Sequence, residues 1–169
     1  PTRRSSDLYL RCFDLPVELL QSAGALSLAI QELVEELRAQ GLLYAELRFA
    51  PSQHTRKGLT QRQVVEAALS GRKAAGGEDF CQLILCCMRG GEEAANRETV
   101  DTAASLLGQG VCALDLAGAE ALYPAREHAA LFAYARPLQV PFPPHAGEAA
   151  GPEGVRQALQ LGAQRTGHR

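Results

Sequence analysis

Residues 111–120 read VCALDLAGAE: an apolar run from Val111 to Ala117, interrupted by Asp115, that passes through Gly118 to Glu120. A short, nearly continuous apolar run of this kind is the pattern of a strand buried on both faces, as in a parallel sheet. The chain on either side repeats the motif. Leu42–Ala50 (LLYAELRFA), ended by Pro51, and Gln82–Met88 read as strands before it, and Val140–Ala146 and Gln164–His168 as strands after it. Pro141, Pro143 and Pro144 sit awkwardly inside the fourth, since proline cannot donate to a ladder. Between the strands lie helical spacings: Leu15–Gln40, stopped by Gly41; Gln61–Leu69, with Thr60 as N-cap; Arg97–Leu107; Glu127–Ala135; and Pro152–Leu161.

Strands alternating with helices argue for an α/β protein with a parallel sheet and helices packed outside it. Doubly wound sheets and (β/α)₈ barrels share that pattern. No G-x-G-x-x-G or G-x-x-x-x-G-K-[ST] follows a strand, which lowers the dinucleotide and P-loop readings. The polar residues Arg48, Arg89, Asp115, His145 and His168 gather at the C-terminal ends of the strands, which in barrel enzymes is the active-site face.

Composition narrows the function classes. Of 169 residues, 46% are hydrophobic and 21% charged, so global disorder is excluded. Lys plus Arg is 17 against 19 Asp plus Glu, a net charge of −2, which argues against a strongly basic nucleic-acid binder. No apolar run reaches the ~18 residues of a membrane span. The five Cys include no C-x-x-C pair and read as small buried hydrophobes in a reducing, cytoplasmic setting. Pro1–Asp7 (PTRRSSD) reads as a non-native, adapter-like leader, and residues 8–169 as one incomplete domain.

His145-Ala146-Gly147-Glu148 carries the sharpest chemistry. A histidine ending a buried strand can aim a ring nitrogen into a pocket as a metal ligand, though a purely structural bond to a neighbouring carbonyl is as common. Glu148, beyond Gly147, can turn back as a carboxylate acid or base. His168 ends the next strand, and adjacent parallel strands lie ~4.8 Å apart, so both histidines can face one mouth. Gly118 lets a ligand approach the backbone closely or simply serves the turn. Asp115 suits an acceptor or a partner for an Arg from a neighbouring strand. Glu46 and Arg48 share one side of their strand, where a structural ion pair is the favoured reading. His54 and His128 read as surface residues, and Cys86 and Cys87 point to opposite faces.

These pieces, in this order, resemble the adenosine deaminase family of zinc-dependent purine deaminases, most of all its bacterial members. The matching stretches are Tyr44–Pro51 (YAELRFAP), Leu85–Arg89 (LCCMR), Ala113–Glu120 (ALDLAGAE), His145–Ala149 (HAGEA) and Arg165–His168 (RTGH). The resemblance implies a partial (β/α)₈ TIM barrel, about strands 2 to 6 with their helices, the first, seventh and eighth strands being missing. It implies one Zn²⁺, with His145 as a metal ligand and Glu148 as the proton donor to purine N1. His168 would orient and help deprotonate the attacking water, and the Gly118 N–H would meet purine N3. The reaction implied is hydrolytic deamination of adenosine and deoxyadenosine, a small-molecule purine nucleoside being the partner. Two of the family's zinc ligands, a His-x-His pair, and a later Asp ligand have no counterpart here, so the 169-residue chain is expected to be inactive and not to hold zinc by itself. Pro143, Pro144 and Arg169 depart from the family pattern. Adenine or a modified adenosine is the alternative substrate, and a non-catalytic α/β binding module the alternative class.

Overall fold

A computed structural model describes residues 12–147 and 151–161. The expected leader at 1–7 and the strand expected at 164–168, with His168, lie outside the described residues, as does Glu148.

The helix expected over Leu15–Gln40 is two helices, α1 (Asp14–Leu19) and α2 (Ala23–Ala39). The break falls at Gln21, a buried side chain whose amide donates to the Val17 and Gln53 carbonyls and accepts from the Arg56 N–H. A buried amide needs those partners, and an uninterrupted helix would take them away. Ser22 then caps α2 by accepting from the Ala25 N–H. Strand β1 is shorter than expected, Ala45–Phe49, and Leu43 ahead of it is 94% exposed.

Helix α3 (Gln61–Ala74) starts at the expected Thr60, with a full capping box to Gln63, and runs five residues past the expected end. It packs closely on α2: a Cβ on Gly71 would come 2.0 Å from the Ser27 carbonyl oxygen. Strands β2 (Cys81–Met88) and β3 (Val111–Ala117) bracket α4 (Glu93–Ser105). The three strands form one parallel sheet in the order β1-β2-β3, with Leu47 beside Leu83 and Leu85 beside Leu114. Each crossover carries a helix, as parallel pairing requires.

The core follows from strand alternation. Leu83, Leu85 and Cys87 of β2 and Leu114 and Leu116 of β3 pack under Val65 and Ala68 of α3 and Val100 and Ala103 of α4. The alternate residues Ile84, Cys86, Ala113 and Asp115 project from the opposite face and are buried as well. A sheet buried on both faces accounts for the near-absence of polar alternation in these strands.

Beyond β3, a 3-10 turn at Ala125–His128 leads into α5 (Ala129–Ala135), where a single helix from Glu127 was expected. The strand expected over Val140–Ala146 does not form: this stretch lies outside the ladder. Its proline nitrogens cannot donate; the Pro141 carbonyl accepts from the Leu114 N–H at 2.7 Å, and Phe142 stacks on Phe132 with ring centroids 4.3 Å apart. Helix α6 (Gly151–Gln160) closes the described chain. No helix among the described residues is long and apolar enough to cross a membrane.

Candidate active site at the strand ends

The C-terminal ends of β1, β2 and β3 and the segment at 141–147 converge on Asp115. This carboxylate is fully buried, and its partners come from four directions. Oδ1 accepts from the Leu116 N–H at 2.7 Å and the His145 N–H at 2.8 Å. Oδ2 accepts from Arg48 Nη1 at 3.0 Å and from His145 Nδ1 at 2.5 Å. The Cys86 thiol lies 3.8 Å from the same oxygen. Burial alone would raise the carboxyl pKa, but the hydrogen bonds and charge of His145, with the charge of Arg48, outweigh it and hold Asp115 below the usual carboxylate range.

The ionised carboxylate can only accept, so His145 Nδ1 must carry a proton. In a neutral ring Nε2 is then the lone-pair nitrogen, the arrangement a second carboxylate imposes on metal-ligating histidines. Arg48 Nη1 lies 3.1 Å from Nδ1 and 3.3 Å from Nε2, so the guanidinium sits against the imidazole as well as the carboxylate. The tautomer is the one a metal-ligating histidine needs, while Arg48 Nη1 also faces the Nε2 lone pair. Among the described residues no group of three or more His, Cys, Asp or Glu could hold a metal ion, so the described donor set does not fit a complete zinc site.

Arg48 reaches across β2 to Asp115 on β3, as an Arg partner for that carboxylate was anticipated. It does not pair with Glu46, which instead accepts from the Tyr44 hydroxyl at 3.1 Å. Cys86 and Cys87 do point oppositely, toward Asp115 and toward the Asn96 carbonyl on α4. Burial, reinforced by the Asp115 charge, raises the Cys86 thiol well above its ordinary value and pushes Cys87 up to about 12. Neither is a nucleophile at neutral pH.

Gly118, just past β3, has φ +110°, a conformation that L side chains rarely adopt. A Cβ there would sit 3.4 Å from Arg89 Cβ, an ordinary contact, so the backbone angle rather than crowding requires glycine. His54 is not a surface residue, and His128 is only partly one. His54 is buried, with Nδ1 2.7 Å from the Leu20 carbonyl, and burial lowers its pKa. His128 is half-buried, and burial, with the nearby Arg89 charge, lowers its pKa too.

Two further residues are central: Arg89, placed from the sequence at the strand-end face without a specific role, and Glu120, given none. Arg89, buried after β2, donates to the Tyr123 carbonyl at 2.7 Å and to the His145 carbonyl at 2.6 Å. Glu120, buried after Gly118, accepts from the Gly147 N–H at 2.9 Å. The signal that could have found them is the proline run before His145, whose backbone must be tied down by side chains if not by a ladder.

Such a fold and site define a parallel α/β protein with a His–Asp–Arg cluster at its strand ends. Residues 2–169 match the adenosine deaminase family. The chain is 50% identical to the adenosine deaminase of Haemophilus ducreyi over 172 residues, covering 96% of this chain and 50% of that protein. An Arabidopsis N6-mAMP deaminase matches in fold with a TM-score of 0.84 at 24% identity, over 95% of this chain and 50% of its own. An amidohydrolase from Burkholderia ambifaria, crystallised with bound zinc, matches with a TM-score of 0.78 at 20% identity, over 86% of this chain and 42% of its own. The chain belongs to the adenosine deaminase family, and it spans about half the length of the curated relatives it matches.

Proposed function

We propose that the whole enzyme to which this chain contributes hydrolyses adenosine and deoxyadenosine to inosine or deoxyinosine and ammonia. The observation that carries the reading is the His145–Asp115–Arg48 cluster at the strand ends of a chain matching the family over residues 2–169. Adenosine is preferred to adenine or a methylated nucleotide because the 50% identical relative is an adenosine deaminase, whereas likeness near 20% identity speaks for fold alone. The sheet is read as part of a (β/α)₈ barrel, with β1, β2 and β3 its second to fourth strands and residues 140–146, which form no ladder, at the place of the fifth.

In this reading the Asp115 carboxylate fixes the His145 ring so that Nε2 is presented as one ligand to zinc. Zinc held there with further ligands would lower the pKa of a water toward ~7 and so make it a nucleophile. The described residues supply one such ligand, and the others would come from the half of the family's length that this chain does not span. Glu148 is assigned as the acid that protonates purine N1, which draws electrons from C6 and opens it to attack. His168 is assigned the orientation and deprotonation of the water. The Gly118 N–H is assigned to purine N3. The C6–N bond breaks as the amine takes up a proton and leaves as ammonia, so one water is consumed per turnover.

The test is conversion of adenosine to inosine, followed by the fall in ultraviolet absorbance, in the full-length enzyme with and without a chelator. Activity on adenine or N6-methyl-AMP but not on adenosine would refute the substrate. No turnover of any purine by a zinc-replete, folded enzyme would refute the reaction.

A further inference from the structure

The segment that carries His145 and runs into Glu148 has an unusual support. Pro141, Pro143 and Pro144 remove its ladder donors, and the chain departs from the sheet there. Its next backbone groups are nevertheless bonded to buried side chains. The His145 carbonyl accepts from Arg89, and the Gly147 N–H donates to Glu120. Arg89 and Glu120 are only 5% and 6% exposed. Arg89 also holds the Tyr123 carbonyl, and its backbone lies against Gly118. The same guanidinium thus ties the loop after β3 to the segment after residue 140.

We propose that Arg89 and Glu120 are positioning residues for the reaction above, clamping the backbone at 145–147 and so fixing the His145 ring relative to Asp115 and Gly118. The inference rests on the deaminase reading for its catalytic consequence, but the clamp itself stands on geometry. Buried ions are costly to desolvate and are kept where their bonds are strong and directional. A guanidinium with two donors on two carbonyls, each from a different loop, fixes one loop against the other. Glu120 lies two residues from Gly118 and five from Asp115, so β3 and its loop supply both carboxyl holds on the segment. Misplacing a catalytic group by about 1 Å can cost up to ~10²-fold in rate.

Two readouts separate the clamp from the reaction. The first is hydrogen–deuterium exchange resolved at Gly147, in the full-length enzyme. Glu120→Ala should speed exchange of this amide at least about tenfold. Glu120→Gln, which keeps an acceptor oxygen, should leave it within about threefold of the unaltered protein. The second is steady-state kinetics on adenosine. Glu120→Ala and Arg89→Lys, the latter too short to hold both carbonyls, should lower kcat about 10–10²-fold with KM changed less than about threefold. Glu120→Gln should restore kcat to within about threefold. A merely structural role would move the melting temperature without this split or this rescue.

If the unaltered enzyme turns over no adenosine, the deaminase reading fails while the exchange experiment still decides the clamp. Unchanged Gly147 exchange in Glu120→Ala overturns the clamp, even in an active enzyme. Should Glu120→Ala fail to fold, Arg89→Lys keeps the buried charge and decides by the kcat split; an Arg89→Lys enzyme with unaltered kcat overturns the proposal.

Discussion

Replacing Asp115 by Asn changes one atom for another of similar size and removes the charge on which the site is built. The Asn oxygen can still accept from Leu116 N–H and His145 N–H, at the places now 2.7 and 2.8 Å from Oδ1. The amide nitrogen then faces Arg48 Nη1 and His145 Nδ1, both donors to the present Oδ2. A hydrogen bond to a charged group is worth ~1.5–3 kcal/mol, and two are lost. The Arg48 side chain is 33% exposed, so water screens its share to about 1 kcal/mol or less. His145 is 23% exposed and its share survives better. The net cost is about 2–4 kcal/mol at pH 7, read by urea unfolding.

The pH dependence has a definite sign. Asp115 has a folded pKa held below the ordinary ~3.9, so its stabilisation is present above that value and is lost as pH falls through the folded pKa. The gap between the unaltered protein and Asp115→Asn should therefore be full at pH 7 and narrow below pH ~4. There is a second consequence. An Asn NH₂ can bond Nδ1 only if the imidazole moves its proton to Nε2, which removes the lone pair presented to a metal. Nitrogen-15 spectra of His145 should show the exchange of tautomers, with zinc affinity falling in step. An Asn variant within 0.5 kcal/mol of the unaltered protein, or a gap that does not shrink in acid, would refute this account of Asp115.

Other expectations follow from the assigned roles and the packing. In the full-length enzyme Glu148→Gln should slow turnover about 10²–10⁴-fold and keep its zinc, His145→Ala should lose zinc and activity together, and His168→Ala should keep most of its zinc while turning over slowly; metal analysis of the three variants checks the assignment. Cys86 and Cys87 should resist alkylation at pH 8 until the protein unfolds, because burial raises both thiols, whereas exposed Cys12 should label at once; peptide mapping reads this. Gly71→Ala should cost about 1–3 kcal/mol or more in urea unfolding, since its Cβ would meet the Ser27 backbone 2.0 Å away and two helices would have to separate.

Much of the frame was legible because buried parallel strands and amphipathic helices write their periods plainly. β3 has its expected bounds, and β2 and α3 start within one residue of theirs. The misplacements share a cause. The break after α1 is set by Gln21 bonding to residues beyond β1, far off in sequence. The burial of His54 is set by the Leu20 carbonyl, 34 residues away. Local spacing carries no sign of such partners, so a polar residue is read as exposed when a distant chain segment in fact satisfies it. Cys86 and Cys87 were read correctly because strand alternation alone decides their directions.

The same contrast explains how the site is held together. A parallel ladder fixes strand ends to one another only as far as each residue has an N–H to give, and the chain before His145 has given up three of them. The groups that replace the ladder are side chains from its neighbours: Asp115 on the His145 amide, Arg89 on its carbonyl and Glu120 on the Gly147 amide. Each is a buried polar side chain, so each would lose a hydrogen bond if the segment moved away. A ladder bond is one of many and tolerates slippage, whereas these bonds are specific to one placement of the segment. Two of the three supports, Asp115 and Glu120, come from β3 and the turn after it. The strand β3, with its nearly unbroken apolar run, thus also sets where the candidate catalytic histidine lies.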